Sequence, residues 1–275
     1  MSYRTLMTVP ILGRNNAVLL EATARLAQRV DAGVIAIAAC RPIHAICRDY
    51  PIPASVFEED RKQIERQIHE AELQFRSALA SHSGSVEWSA HTCLEPLSAH
   101  LARESVLADL IVVSLDADGT RSDATRRADL CDLVMQAGRP MLLVPSSKPS
   151  PSLDRILVGW KDTRESRRAV ADGLPLLAQA TDVTVVAIED AGGAAEARSG
   201  VARVQTWLAR QGIAAETTTV PPHKANAQQL IGIAREMNAG LIVAGAAGYV
   251  RQGQWVLGGI TNELLNGDTC ALVSH

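Results

Sequence analysis

The chain has 275 residues, enough for one large or two ordinary domains, and 47 % of them are hydrophobic, which is ample for a buried core. The formal net charge is −3 with basic residues spread along the chain, so nothing in the charge favours nucleic acid as a partner. No apolar run approaches the ~18 residues of a membrane span, and the N-terminal segment lacks the apolar stretch of a secretion signal. The five cysteines form no Cys-x-x-Cys pair, which predicts reduced thiols in a cytoplasmic protein.

The first half of the chain alternates short apolar runs with segments of helical periodicity. The runs are continuously apolar, which is typical of strands buried on both faces of a parallel sheet. Ser55 and Glu58 fit a capping box, so a long polar helix is predicted to begin at Ser55. The pattern predicts strands at 5–9, 33–39, 86–92, 109–114 and 140–144, and helices at 15–30, 55–81, 96–107 and 123–136.

The second half repeats this order after a Ser- and Pro-rich segment at residues 147–152, which is predicted to be a linker. Apolar runs at 4–7, 109–113 and 140–144 match runs at 155–158, 240–244 and 269–273. In the second half the pattern predicts strands at 155–160, 183–188, 214–220, 241–244 and 269–274, and helices at 164–180, 195–211, 225–237 and 258–265.

This repeat predicts the fold class. Strands that alternate with helices form a parallel sheet with right-handed crossovers and helices on both faces. The sequence therefore predicts an α/β protein of two tandem doubly wound domains, at residues 1–146 and 153–275, each with a five-stranded parallel sheet flanked by helices.

The segment after the run at 241–244 has the spacing G-x2-G-x9-G-G, formed by Gly245, Gly248, Gly258 and Gly259. Glycines allow the backbone to approach an anion closely, and the free N–H groups of a helix start supply donors to it. In an open parallel sheet, ligands lie beyond the carboxyl ends of the strands, where this segment falls. The pattern indicates a phosphate site, and the alternative is a glycine-rich turn without a ligand.

With this motif and the repeat, the chain resembles a tandem universal stress protein over nearly its whole length. The resemblance implies an adenine nucleotide alpha hydrolase-like fold and a binding module for ATP, with at most slow hydrolysis. In that family the glycines wrap the ribose and phosphates, and an acidic residue at the end of the first strand contacts the adenosine. The family's domains pair through their last strands, for which residues 140–144 and 269–274 are the candidates here.

The second half departs from the family pattern at two places. Gly259 replaces a Ser or Thr, which removes a hydroxyl donor worth about 1 kcal/mol, while Ile260 and Thr261 continue as in the family. Lys161 stands where the family has an aspartate, and the following Asp162 is a candidate substitute.

The first half lacks the glycines. Ser114 and Ala117 stand in their places, and a polar stretch with Arg121, Arg126 and Arg127 follows. The first half is therefore expected to bind no nucleotide by the family mode and to act as the structural partner of the second half. We expect the arginine cluster to be a solvated helix face and weigh this against an anion patch.

Several other residues have two interpretations. Trp160 and Trp255 could stack on a base, but packing under the loop is favoured. Arg251 could contact a phosphate or be a solvated loop charge.

His91 and His100 flank a predicted strand-to-helix turn, and no histidines have metal-ligand spacing in the sequence, so no metal site is predicted. No activated nucleophile or acid–base pair is apparent, so no catalytic residue is predicted.

The sequence thus predicts a cytoplasmic stress-response protein that binds ATP, with Mg²⁺, in its C-terminal domain. The predicted nucleotide-binding residues are Gly245, Gly248, Arg251, Gly258, Gly259, Ile260, Thr261, Lys161 and Asp162. The alternative is a nucleotide-free scaffold of the same fold. A nucleotide-activating enzyme ranks last, because neither first strand is followed by a serine- and glycine-rich loop. A homodimer and an unidentified protein partner are left open.

Overall fold

The computed structural model of the chain describes residues 2–46, 53–115, 124–146, 152–190, 193–223, 225–251 and 254–275, with the backbone alone at 249–251 and 254–256. In the first half, the elements are β1 (Thr5–Thr8), α1 (Ala17–Val30), β2 (Gly33–Cys40), α2 (Ala54–Ala78), β3 (Val86–Thr92), α3 (Leu97–Glu104), β4 (Leu110–Leu115), α4 (Leu130–Gln136) and β5 (Met141–Pro145). In the second half, they are β6 (Arg155–Gly159), α5 (Arg164–Asp172), α6 (Leu174–Leu177), β7 (Asp182–Ile188), α7 (Ala194–Arg210), β8 (Glu216–Val220), α8 (Asn226–Glu236), β9 (Leu241–Gly245), β10 (Gly248–Arg251), β11 (Gln254–Leu257), α9 (Gly259–Asn266) and β12 (Ala271–Ser274).

Ten of the twelve described strands form one sheet in the order β3-β2-β1-β4-β5-β12-β9-β6-β7-β8, and β10 and β11 form a separate two-stranded sheet. The order within the first half, β3-β2-β1-β4-β5, is repeated in the second half as β8-β7-β6-β9-β12. Within the ten-stranded sheet, all strand pairs inside each half are parallel. The predicted pair of five-stranded, doubly wound units is confirmed.

The two halves meet where β5 pairs antiparallel with β12, with Leu142 opposite Leu272. The prediction that the last strands of the halves pair is therefore confirmed. Because this central pair is antiparallel, the strands of one half run against those of the other. The carboxyl ends of the strands in one half consequently lie at the same end of the sheet as the amino ends of the strands in the other half.

The core lies on both faces of the sheet and is shared by the two halves. Leu6 and Leu142 of the first half belong to the same buried cluster as Val243 of the second half. On the opposite face, Met7 and Ile242 likewise share one cluster. Successive strand residues point to opposite faces, so the continuously apolar runs are explained by burial on both sides.

Three predicted helices differ from the observed ones. The capping box is wrong, because α2 begins at Ala54 after Pro53 and its N-cap has no side-chain hydrogen bond. The helix predicted at 164–180 is divided at Gly173 into α5 and α6. The helix predicted at 123–136 begins only at Leu130, because the Asp129 side chain accepts hydrogen bonds from the N–H groups of Cys131 and Asp132 and so caps it there. Within the described residues, no helix is long and apolar enough to cross a membrane.

Candidate functional site

The glycine-rich segment follows β9 at the carboxyl edge of the second half. The nine residues predicted as an excursion form a two-stranded antiparallel ribbon, β10 and β11, in which Gly248 is opposite Leu257 and Arg251 is opposite Gln254. The side chains of Arg251 and Trp255 lie outside what the structure describes, so their predicted contacts stay predictions. The ribbon returns the chain to Gly258, directly before α9.

Gly245, the last residue of β9, lies against the start of α5. A Cβ placed there would be 2.6 Å from the carbonyl carbon of Glu165 and 2.6 Å from the backbone nitrogen of Ser166. These are backbone atoms, which cannot rotate away. The missing side chain at Gly245 is thus required by the close packing of a strand end on a helix start, whether or not a ligand binds.

Gly248 has a different environment, because it contacts the first half of the chain. A Cβ at this position would lie 3.0 Å from Cε of Met135 in α4 and 3.2 Å from Cδ2 of Leu257. The ribbon therefore packs across the junction between the halves. Sequence reasoning missed Met135, since no local pattern connects a residue of α4 with the glycine segment.

The start of α9 is the part of the segment that remains open. Gly258 is the N-cap, and no side chain caps the helix. A Cβ at Gly259 would have no atom within 4 Å. Among the described residues, the backbone N–H groups of Gly259, Ile260 and Thr261 have no hydrogen-bond acceptor. A helix start with uncapped donors carries the positive end of the helix dipole, which favours an anion.

The side chains of Thr261 and Ile260 face inward. Thr261 is 1 % exposed, and its Oγ1 accepts a hydrogen bond of 3.1 Å from the N–H of Ala247. Ala247 in turn accepts a hydrogen bond of 2.8 Å from the N–H of Gly258. Ile260 is half-buried and packs on the core. Thr261 therefore holds the glycine segment against α9, and the ligand-facing groups here are backbone amides.

The two predicted residues after β6 are both ion-paired. Lys161 Nζ lies 3.0 Å from Asp190 Oδ2, and both side chains are exposed. Asp162 pairs with Arg167 and, at 3.7 Å, with Arg203. Lys161 and Asp162 thus stand at the carboxyl end of β6, beside β9 in the sheet.

A cavity of about 360 Å³ opens beside Asp162, between α5 and α7. It is lined by Trp160, Asp162, Arg167, Val170, Gly200, Arg203, Val204 and Trp207. Trp160 is 9 % exposed and packs beneath Gly200, where a Cβ would lie 3.2 Å from its Nε1. Trp160 also belongs to the core cluster, so its position agrees with the packing role that the sequence analysis favoured.

Glu165 places a negative charge at the start of α5, next to Gly245. A hydrogen bond from its own backbone N–H is the largest cause that lowers the pKa of Glu165, and the Thr163 hydroxyl and Arg164 lower it further, against the effect of burial. Thr163 also caps the helix through its Oγ1, which accepts from the N–H of Ser166 at 3.3 Å. This helix start is therefore already satisfied by the chain itself, in contrast to that of α9.

The corresponding edge of the first half is filled. The cavity there, near Val9, Val113 and Ser114, holds only about 30 Å³, the room for about one water molecule. The side chain of Arg126 closes this cavity and is only 7 % exposed. Its Nε donates a hydrogen bond of 2.8 Å to Gln67 Oε1, and its Nη2 lies 3.2 Å from Asp60 Oδ1. The expectation of a solvated arginine face is wrong for Arg126, because the turn before α4 carries this residue inward. Ala117 and Arg121 lie outside the described residues.

No protein-family model matches the chain, and no curated protein sequence matches it. Among solved structures, a universal stress protein from Archaeoglobus fulgidus DSM 4304 superposes with a TM-score of 0.71 at 12 % identity, covering 98 % of this chain and 97 % of that one. A functionally unknown protein from Pseudomonas aeruginosa PAO1 gives a TM-score of 0.60 at 16 % identity, with 99 % and 92 % covered.

The chain has the fold of the universal stress proteins, as its repeat and glycine motif predicted. The cytoplasmic domain of a prokaryotic cation chloride cotransporter superposes as well, with a TM-score of 0.52 at 9 % identity over 99 % of this chain and 95 % of that one. The same architecture therefore serves proteins of different kinds, and the function has to be argued from the residues.

Proposed function

We propose that the second half of the chain binds an adenine nucleotide, ATP with Mg²⁺, and acts as a regulatory binding module in a cytoplasmic stress response. The observation that carries the proposal is the start of α9. Among the described residues, the N–H groups of Gly259, Ile260 and Thr261 have no hydrogen-bond acceptor. A Cβ at Gly259 would have no atom within 4 Å, whereas one at Gly258 would lie 3.5 Å from Ala247. Such a helix start offers donors and a favourable dipole to a phosphate.

The arrangement of the neighbouring residues supports phosphates at α9 and not at α5. Glu165 is ionised at neutral pH beside Gly245, and a phosphate close to it would be repelled. We propose that Gly245 serves packing and that Gly258 and Gly259 serve the ligand, with Lys161 or Arg251 as further candidates for the phosphate charge. Any hydrolysis would be slow, because no side chain among the described residues at α9 is placed to activate water.

The first half is proposed to act as scaffold. Its equivalent edge is closed by the buried Arg126, and its last strand completes the sheet of the second half. We propose the domain division at residues 1–146 and 153–275 on the same ground. A homodimer and a protein partner stay proposals without a surface assigned to them.

The rival proposal is a nucleotide-free scaffold. It is favoured by one specific observation: each glycine other than Gly258 and Gly259 in the motif has a packing reason, since Gly245 lies on α5 and Gly248 on Met135. The two proposals therefore differ in whether a substitution at Gly259 changes the affinity for ATP.

The test is calorimetric titration of the full chain with MgATP, using two substitutions at one open position. Gly259→Asp fits the space and places a carboxylate at a helix start, where it is tolerated, but it opposes a phosphate. Gly259→Ser restores a hydroxyl donor. We expect one site per chain, affinity at least about tenfold weaker in Gly259→Asp, and affinity about fivefold stronger in Gly259→Ser.

Thermal unfolding of both variants provides the control, since neither should lose stability. No binding of millimolar ATP by the wild type and by Gly259→Ser would reject the nucleotide in favour of the scaffold. Equal binding by all three proteins would show that the nucleotide does not lie at α9. Two sites per chain would show that the first half also binds.

A further inference from the structure

Two histidines meet at the outer edge of the first half, away from the glycine segment. His91 lies near the end of β3, the edge strand, and His100 lies in α3. His100 Nε2 is 2.8 Å from His91 Nδ1, and the ring centroids are 4.8 Å apart. His100 is 8 % exposed. The sequence pattern predicts no metal site because no histidines have metal-ligand spacing, but the turn from strand to helix brings these two rings together.

Glu104 adds an oxygen donor to this pair. It follows His100 by four residues in α3, so both side chains lie on one face of the helix. The ligand atoms of His91, His100 and Glu104 all lie within 4.8 Å of one another, and Glu104 is half-buried. A strand and a helix thus supply three metal-ligand side chains to one point.

The outward nitrogens of both rings are held by other groups. Ser89 Oγ lies 2.5 Å from His91 Nε2, and Glu95 Oε1 lies 3.1 Å from His100 Nδ1. Glu95 is itself fixed by Arg103, whose Nη1 donates to Oε2 at 2.7 Å. Histidines that bind metals commonly donate their second ring N–H to a carboxylate or another acceptor, which fixes the tautomer and the orientation.

We propose that His91, His100 and Glu104 bind a divalent transition metal ion of the zinc type. Two imidazole nitrogens and one carboxylate oxygen suit this class, whereas Mg²⁺ and Ca²⁺ prefer oxygen donors throughout. Three protein ligands leave a fourth position of the tetrahedron for water or for a group from a partner.

The geometry requires only small adjustments. With Zn–N distances of about 2.0–2.1 Å, tetrahedral ligand atoms lie ~3.3 Å apart. The imidazole nitrogens at 2.8 Å would separate slightly, and the group that now spans up to 4.8 Å would contract by side-chain rotation. The charged groups at the site are Glu95, Arg103 and Glu104. Arg103 pairs with Glu95, and its Nη2 lies 3.4 Å from His100 Nδ1. With two carboxylates and one guanidinium, a cation adds to a surrounding that is net negative. The site lies in the first half and is independent of the proposed nucleotide site.

The test uses the full chain after treatment with a chelator and its removal. Titration with Zn²⁺ is expected to give one tight site per chain, and Co²⁺ is expected to give the visible absorption of a four-coordinate ion. His91→Ala should abolish both signals, and Glu104→Gln should weaken Zn²⁺ binding at least about tenfold. His69→Ala, which removes an exposed histidine of α2, should leave both unchanged.

A second variant changes the orientation of the His100 ring without removing a metal ligand. Glu95→Ala leaves all three ligands in place but removes the acceptor of His100, so binding should weaken about 10–100-fold. Circular dichroism checks that each variant is folded. The proposal is overturned if the wild type gives no Co²⁺ spectrum and no Zn²⁺ site, or if folded His91→Ala and Glu104→Gln bind Zn²⁺ as the wild type does.

Discussion

Gly248 in the second half lies against Met135 in the first half, so that a Cβ at position 248 would be 3.0 Å from the Met135 Cε. Gly248 begins the β10–β11 ribbon of the glycine segment, and Met135 lies near the end of α4. The candidate site and the junction between the halves are therefore in direct contact.

This contact predicts a stability effect that depends on both residues. Gly248→Val adds side-chain volume against Met135 and should lower the free energy of unfolding by about 1–3 kcal/mol. In a Met135→Ala background the added volume has room, so the same substitution should cost less than half as much. Urea unfolding of the four proteins of this cycle measures the coupling, and additive effects would show that the two residues do not touch in solution.

Two glycines of the same motif are predicted to respond to alanine in opposite ways. Gly245→Ala would place a Cβ 2.6 Å from backbone atoms of Glu165 and Ser166. The free energy of unfolding should therefore fall by about 1–3 kcal/mol. Gly259→Ala meets open space at a helical position and should stabilise the chain by about 0.4–1 kcal/mol. Chemical denaturation distinguishes the signs, and a destabilised Gly259→Ala would contradict the open helix start.

Arg126 is predicted to be essential for the first half. Its side chain is 7 % exposed and that of its partner Asp60 is 15 % exposed, so Arg126→Ala leaves a largely buried carboxylate without its cation. Such a loss costs about 3–5 kcal/mol. The matched control is Arg61→Ala, since Arg61 is 61 % exposed and its ion pairs should contribute less than about 1 kcal/mol each. Similar midpoints for the two variants in thermal unfolding would place Arg126 at the surface.

The lowered pKa of Glu165 predicts that the free energy of unfolding depends on pH. Its pKa is lowered in the folded chain, chiefly by its own backbone N–H, so the ionised form stabilises the fold above the unfolded pKa of about 4.3. This contribution is lost as the pH falls through the lower folded value. Glu165→Gln should therefore cost about 0.5–1 kcal/mol at pH 7 and almost nothing near pH 2. The exposed Glu216→Gln is the control in urea titrations at both pH values, and an equal loss for Glu165→Gln at both would refute the assignment.

The sequence predicted two five-stranded, doubly wound units because these depend on regular patterns, and the resemblance to the universal stress proteins implied that the last strands pair. Continuous apolar runs, their repetition and the glycine spacing are all local features, and they led to β5, β9, β12 and the start of α9. Boundaries were less accurate where a single side chain decides them, as Asp129 does by capping α4.

The contacts that define the candidate sites could not be predicted from spacing. The glycine spacing predicts a phosphate contact at Gly245, whereas the strongest constraint on this residue is the backbone of α5, which only the folded sheet brings close. His91 and His100 are nine positions apart and belong to elements of different periodicity, so their contact depends on the angle between β3 and α3. Charged residues are usually solvated, which favours a solvated Arg126 from sequence, and only the fold shows its partner Asp60, whose side chain is 15 % exposed.

The antiparallel pairing of β5 with β12 makes the two halves a covalently linked pseudo-dimer within one polypeptide. In an assembly of two identical chains, every substitution would appear twice. Here one half can change while the other does not, and the two halves differ: glycines surround an open helix start in one, and an arginine fills the equivalent place in the other. The repeated fold thus offers two unlike surfaces within one chain, each available for a separate task.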